Sequence, residues 1–403
     1  MGIGISEFNW FRFKKNKMRN VFLLFTGLLS VSLSFGQALG FTTLTFVDET
    51  RNNRSIPCEV YYPALSAGEN TAALDPAFLA LTGYPAIAIG HGFVIGAANY
   101  SLIAEQLIPF GFVVALVNTE TGFSPSHENF GLDLAFVTHA LQQESQNATS
   151  ILHNIVHQER EAIIGHSMGG GAAWLAAASD PLIDAIVGLA PAETNPSAIA
   201  AAASVNCSAL VFSGSEDAVT PSADNHQPIY DGTNSDCKTF VSLVGGSHCG
   251  FIDSGTLCDF GEPFGGSLAR ADQQEAYLTL MTAWLRYFLN AECVEDLYES
   301  YVMSHSFVSA DPLAACMLCA NIENSNRIGM RMMPNPSNGS FEVQWNEEAF
   351  QQIEILDVTG KSILREKVLQ QYRVNVNESL SSGIYLVKLS NENSSVTQKL
   401  IVN

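Results

Sequence analysis

Positive charge is scarce in this sequence. Its 403 residues hold 19 Lys and Arg against 40 Asp and Glu, a formal charge of −21 at pH 7. Between residues 37 and 328 the imbalance deepens to seven basic against 31 acidic side chains, with Lys238 the only lysine. No cluster of Lys or Arg follows the first twenty positions to neutralise a phosphate backbone, so no nucleic acid is expected as a partner. A surface so acidic repels anionic polymers and suits neutral substrates. Long apolar runs are missing too. Val21 to Phe35, apolar but for Ser, Thr and Gly, spans 15 residues, short of the roughly 20 a membrane helix needs, and no later segment does better. There is no internal repeat and no low-complexity tract. With 47% apolar and only 15% charged residues, the chain can bury a sizeable core, which argues against disorder, collagen and coiled coil.

The N-terminus reads as an export signal. Arg12, Lys14, Lys15, Lys17 and Arg19 precede the 15-residue run, and small Gly36 then precedes Gln37. Residues 1–36 are therefore expected to be a signal peptide, with Met18 a second candidate start. Export makes disulfides the default for the eight cysteines. Sequence cannot fix their pairing, but two pairs have a geometric case. Cys249 and Cys258 bracket a short loop containing Gly250 and Gly255. Cys207 and Cys237 each precede an apolar run that reads as one of two neighbouring parallel strands, whose starts lie within bridging reach. Cys316-x-x-Cys319 has no second pair at zinc spacing, so no metal is expected.

The fold class is α/β. Two alternating runs over Thr42 to Pro63 read as antiparallel strands. Short apolar runs then recur at 85–90, 112–118, 161–165, 184–190, 208–214 and 239–245, with helical stretches near 98–109, 130–145, 168–179 and 269–290 between or after them. Strands separated by helices predict a mostly parallel sheet with helices on both faces and a ligand at the carboxyl ends of the strands. Residues 293–328 read as a helical excursion (DLYESYVMSHSF) and a polar connector.

The sharpest motif is Gly165-His166-Ser167-Met168-Gly169, between the run EAIIG and the helical GGGAAWLAAA. A nucleophile projecting from a tight strand-to-helix turn needs neighbours with almost no side chain, so Ser167 is the expected nucleophile. Its partners should follow in the order acid, then histidine. Asp217 follows the strand SALVFSG, with Glu216 an adjacent competitor, and His248 follows TFVSLVG among small residues. Of the nine histidines, His226 reads as mid-loop, His305 as part of the helical excursion and His166 as part of the elbow. The oxyanion hole calls for two backbone N–H donors: Met168, and Phe93 in the loop Gly90-His91-Gly92-Phe93. Phe93 and His166 are also expected to contact substrate.

Taken together, HGF, GHSMGGG, DAVTP and GGSH resemble the α/β-hydrolase superfamily, and within it the dienelactone hydrolase-like and polyester hydrolase (cutinase-like) group, over roughly residues 40–292. The resemblance implies a serine hydrolase that needs no metal or organic cofactor. In polyester hydrolases the residue before the nucleophile is often Trp or His, here His166. Their second aromatic, a Trp after the following strand, is replaced by PAETNPSA (191–198), which weighs against aromatic polyesters.

Beyond residue 329 the pattern turns all-β. PNPSNGSFEV, IEILDVTGKSI, SSGIYLVKL and QKLIVN alternate apolar and polar positions between Gly and Asn turns, predicting a small β-sandwich. The module resembles the C-terminal sorting domain of the type IX secretion system of Bacteroidetes, which implies that machinery as a partner and a secreted or surface-attached location. The expected organisation is a catalytic domain at 37–322, a linker at 323–329 and a sorting domain at 330–403. The expected activity is hydrolysis of neutral small-molecule or polymeric esters through Ser167, Asp217 and His248. A serine peptidase and a non-catalytic adhesin are the alternatives, separated by assays on a p-nitrophenyl ester and on casein.

Overall fold

The computed structural model describes residues 38–79, 81–254, 257–292, 294–311, 330–333, 337, 339–345, 350–357, 361–368, 373–377, 380–391 and 395–402. The expected signal peptide, Cys316, Cys319 and the linker at 323–329 lie outside them.

In the larger part, the strands β1 (Ala38–Asp48), β2 (Arg54–Ala64), β3 (Gly68–Glu69), β4 (Tyr84–Gly90), β5 (Val113–Val117), β6 (Val156–His166), β7 (Ala185–Leu189), β8 (Ser208–Gly214), β9 (Lys238–Leu243) and β10 (Val308–Ala310) form one sheet, in the order β10-β9-β8-β7-β6-β4-β5-β2-β1-β3. From β5 to β9 every neighbouring pair is parallel, while β2 and β10 flank them antiparallel. The helices are α1 (Ser101–Leu107), α2 (His127–Glu144), α3 (Met168–Ser179), α4 (Ala198–Ala202), α5 (His226–Gly232), α6 (Cys258–Gly261), α7 (Arg270–Asn290) and α8 (Glu295–Ser304).

Side chains of a strand alternate between faces, so this sheet carries two apolar cores. On one face Ile87, Ile89, Ile164 and Leu210 pack against Leu107 of α1 and Trp284 of α7. On the other Ala86, Ala88, Ile163 and Val211 meet Phe130 and Leu134 of α2 and Ala172 and Ala176 of α3. The small residues on the second face let α2 and α3 approach closely. α2 is preceded by Ser126, whose hydroxyl accepts from the Asn129 N–H (3.2 Å) and caps the helix.

The Cys249–Cys258 disulfide is present, with Cα atoms 5.6 Å apart. The expected Cys207–Cys237 bridge is not formed, and both residues are free thiols. The register explains why. Ala209 lies opposite Lys238, so Cys207 and Cys237 are one residue out of step, and a one-residue offset sends side chains to opposite faces. Burial pushes the Cys207 thiol up to about 12.

At the C-terminus, β11 (Met330–Met333), β12 (Ser340–Trp345) and β15 (Arg373–Asn377) make one antiparallel sheet; β13 (Gln352–Asp357), β14 (Ser362–Lys367), β16 (Gly383–Ser390) and β17 (Ser395–Val402) make a second. Phe341, Val343 and Trp345 of the first share a core with Ile353, Ile355, Val387 and Leu400 of the second.

Candidate active site

Strand β6 ends at His166, and α3 begins at Met168, so Ser167 alone makes the turn, at φ 54° and ψ −118°. Such a conformation costs a non-glycine residue about 1–3 kcal/mol, and backbone bonds hold it. The Ser167 N–H donates to the Leu189 carbonyl (3.0 Å), and the Ser167 carbonyl accepts from the N–H groups of Ala192 (2.9 Å) and Gly171 (3.1 Å). The flanking glycines answer to close approach: a Cβ at 165 would lie 2.0 Å from the Gly169 oxygen, and one at 169 would lie 2.3 Å from the Gly90 oxygen. The N-terminus of α3, and with it the positive end of the helix dipole, lies at the serine.

Asp217 follows β8, and His248 follows β9. The Nδ1–H of His248 donates to Asp217 Oδ2 over 2.8 Å. Asp217 Oδ1 is occupied separately by the N–H groups of Val219 (2.9 Å) and Thr220 (2.7 Å). Burial by itself would raise the Asp217 carboxyl, but the hydrogen bond and charge of His248 and the Thr220 N–H outweigh it and hold the group below its ordinary value. The competitor Glu216 is exposed and binds the Ser267 N–H and hydroxyl, each at 2.7 Å. Among the described residues no hydrogen bond joins Ser167 Oγ to His248.

A second buried histidine stands behind the acid. His226 opens α5 instead of lying mid-loop, and its side chain is fully buried, with Nε2 3.6 Å from Asp217 Oδ2. Its Nδ1 meets the Ser213 hydroxyl (2.9 Å) and its Nε2 the Thr220 hydroxyl (3.1 Å). The Thr220 oxygen also lies 3.1 Å from Asp217 Oδ2 and 2.9 Å from His248 Nδ1. Burial lowers His226 to about 4, so its imidazole is neutral at pH 7. The sequence signal was the T of DAVTP for Thr220; His226 carried none beyond being a histidine near the acid.

Phe93 follows β4, and neither its N–H nor that of Met168 has a backbone acceptor among the described residues. His166, expected to contact substrate, is instead fully buried. The Gly92 N–H donates to the Tyr100 hydroxyl (2.7 Å), which sits 2.9 Å from His166 Nδ1, and His166 Nε2–H donates to the His248 carbonyl (3.2 Å). With Tyr100 as donor to Nδ1, one tautomer satisfies the whole chain. Burial, and then the nearby His248 ring, hold His166 well below its ordinary pKa.

Beside the candidate site, Phe93 is 46% exposed and meets Phe123, 84% exposed, edge-to-face at 6.4 Å. Val219, two residues past Asp217, is also exposed. Both arginines of α7 are paired, Arg270 with Asp259 and Arg286 with Glu292.

Residues 59–291 match the PET hydrolase-like family, and residues 331–403 match the secretion system C-terminal sorting domain. Cutinase 1 of Thermobifida cellulosilytica is 27% identical over 166 residues, 41% of this chain and 60% of that protein. A cutinase of Thermobifida fusca is 27% identical over 166 residues, 41% of this chain and 52% of that one. The bis(hydroxyethyl) terephthalate hydrolase of Streptomyces coelicolor is 25% identical over 243 residues, 55% of this chain and 75% of that one. The chain thus spans between half and three-fifths of the length of these two cutinases.

Proposed function

The chain belongs to the PET hydrolase-like family, and we propose that it is a secreted serine hydrolase that cleaves neutral carboxylic esters, polyesters among them, through an acyl-enzyme. One observation carries this reading: His248 and Asp217 are hydrogen-bonded at 2.8 Å, and Ser167 occupies a positive-φ elbow between strand and helix. All three residues, and Phe93, follow the carboxyl ends of parallel strands in one sheet.

In the proposed mechanism His248 Nε2 takes the Ser167 proton as Oγ attacks the ester carbonyl, the hydrogen bond between them forming once substrate is bound. Asp217 keeps the proton on Nδ1 and stabilises the imidazolium. The amides of Phe93 and Met168 receive the tetrahedral oxyanion. The imidazolium then protonates the departing alcohol, and a water activated by the same histidine releases the acid. Phe93, Phe123 and Val219 offer the substrate apolar contact, whereas His166 acts from inside, holding the histidine segment by its backbone.

The C-terminal match supports engagement of the type IX secretion machinery through residues 331–403 and a secreted or surface-attached location. The test of the activity is Ser167→Ala in the full chain: turnover of p-nitrophenyl butyrate and of a polyester film should vanish while the circular dichroism spectrum is kept. Ordinary turnover in that variant would remove the assignment.

A further inference from the structure

The acid and histidine segments are joined by a carboxylate that the mechanism above leaves unused. Glu262 follows α6 and is 6% exposed. Its Oε1 accepts from the N–H groups of Ala218 (3.2 Å) and His248 (3.1 Å), and its Oε2 accepts from the Cys249 N–H (2.9 Å). Ala218 adjoins Asp217 in the chain. One side chain therefore grips the backbone beside the acid and the backbone of the base. Hydrogen bonds to an ionised acceptor are stronger than neutral ones, and removing this acceptor would strand three N–H donors, those of His248 and Cys249 buried.

The gripping segment is itself fixed. Cys258 at the start of α6 is bonded to Cys249, the residue after His248. Asp259 pairs with Arg270 of α7, and the Glu262 carbonyl accepts from the Gly265 N–H (3.0 Å). The disulfide thus limits how far Glu262 can move from the histidine it holds.

We propose that Glu262 is a positioning residue for the Asp217–His248 pair: it sets the spacing of the two segments and, through that, the aim of the imidazole. The inference rests on the esterase reading, and the same assay separates the two. An inactive wild-type chain would defeat that reading; an active wild type with unaffected Glu262 variants would defeat only this one.

The experiment compares Glu262→Ala and Glu262→Gln in the full chain on p-nitrophenyl butyrate, with circular dichroism and thiol titration to verify folding and the disulfide. The Gln oxygen can keep both Oε1 bonds, while its NH2 group faces the Cys249 N–H. Misplacement by about 1 Å costs about 10²-fold, so kcat should fall by about that factor in Glu262→Ala, with KM little changed and a substantial part recovered in Glu262→Gln. A folded Glu262→Ala enzyme with wild-type kcat, a loss confined to KM, or a Gln variant no better than Ala would overturn the proposal. If Glu262→Ala does not fold, Glu262→Asp, one methylene too short to hold both segments at their present spacing, decides: a reduced kcat at unchanged KM supports the proposal, and wild-type kcat overturns it.

Discussion

Replacing Asp217 by Asn should disable His248 without disturbing the fold, because the structure dictates which way the amide turns. The Oδ1 position receives two backbone N–H groups, from Val219 and Thr220. An NH2 group placed there would confront two donors, so the amide oxygen takes that side and the NH2 group faces His248 Nδ1, where Oδ2 now accepts at 2.8 Å. A donor there forces Nδ1 to become the acceptor, moving the ring proton to Nε2, the atom that in the proposed mechanism takes the Ser167 proton. A tautomer set wrongly in a Ser-His-Asp arrangement lowers kcat by about 10⁴-fold, about 5.5 kcal/mol of barrier. Stopped-flow hydrolysis of p-nitrophenyl butyrate measures the loss, and a melting curve verifies the fold. Glu216→Gln is the control and should leave kcat near wild type, since Glu216 binds Ser267 and not the imidazole. An Asp217→Asn enzyme within about tenfold of wild-type kcat would refute the reasoning.

Two other predictions concern charge. Glu161, 2% exposed at the middle of β6, is raised by burial to about 7, partly offset by the neighbouring His139. A carboxyl whose folded pKa exceeds its unfolded value binds its proton more tightly when folded, so its contribution to stability is present at low pH and is lost as pH rises from the ordinary range through about 7. Glu161→Gln should therefore raise the melting temperature at pH 8 and leave it nearly unchanged at pH 4; equal shifts at both pH values would contradict this. The acidic catalytic region, with Arg270 and Arg286 both paired, should hydrolyse neutral esters with higher kcat/KM than matched anionic ones, the gap narrowing as salt screens it. A preference for the anionic ester at low salt would reveal a cationic subsite instead.

Much of this architecture was written locally. SALVFSG and GGGAAWLAAA mark β8 and α3, because a buried parallel strand and a helix pressed against it leave strong apolar runs. Strands β11 and β15 and helices α4 and α5 left weaker marks: each is short, and its packing comes from partners distant in sequence. At the site, Ser167, Asp217 and His248 were legible because each follows a recognisable strand. Glu262, Tyr100 and His226 were not. Their work depends on partners 14, 66 and 13 residues away, and nothing local distinguishes Glu262 from the other acidic residues of a very acidic chain. The Cys207–Cys237 pairing failed for the complementary reason: proximity of strand starts was readable, but register was not.

The crowding around Gly165 and Gly169 divides the site for anyone seeking new variants. Any side chain added at these two positions drives a carbon into backbone oxygen at 2.0 and 2.3 Å, so mutagenesis there yields only losses. Phe93, its ring partner Phe123, and Val219 two residues past Asp217 stand exposed and can be exchanged with little effect on folding. A library aimed at substrate range belongs on those three positions, with the elbow held constant.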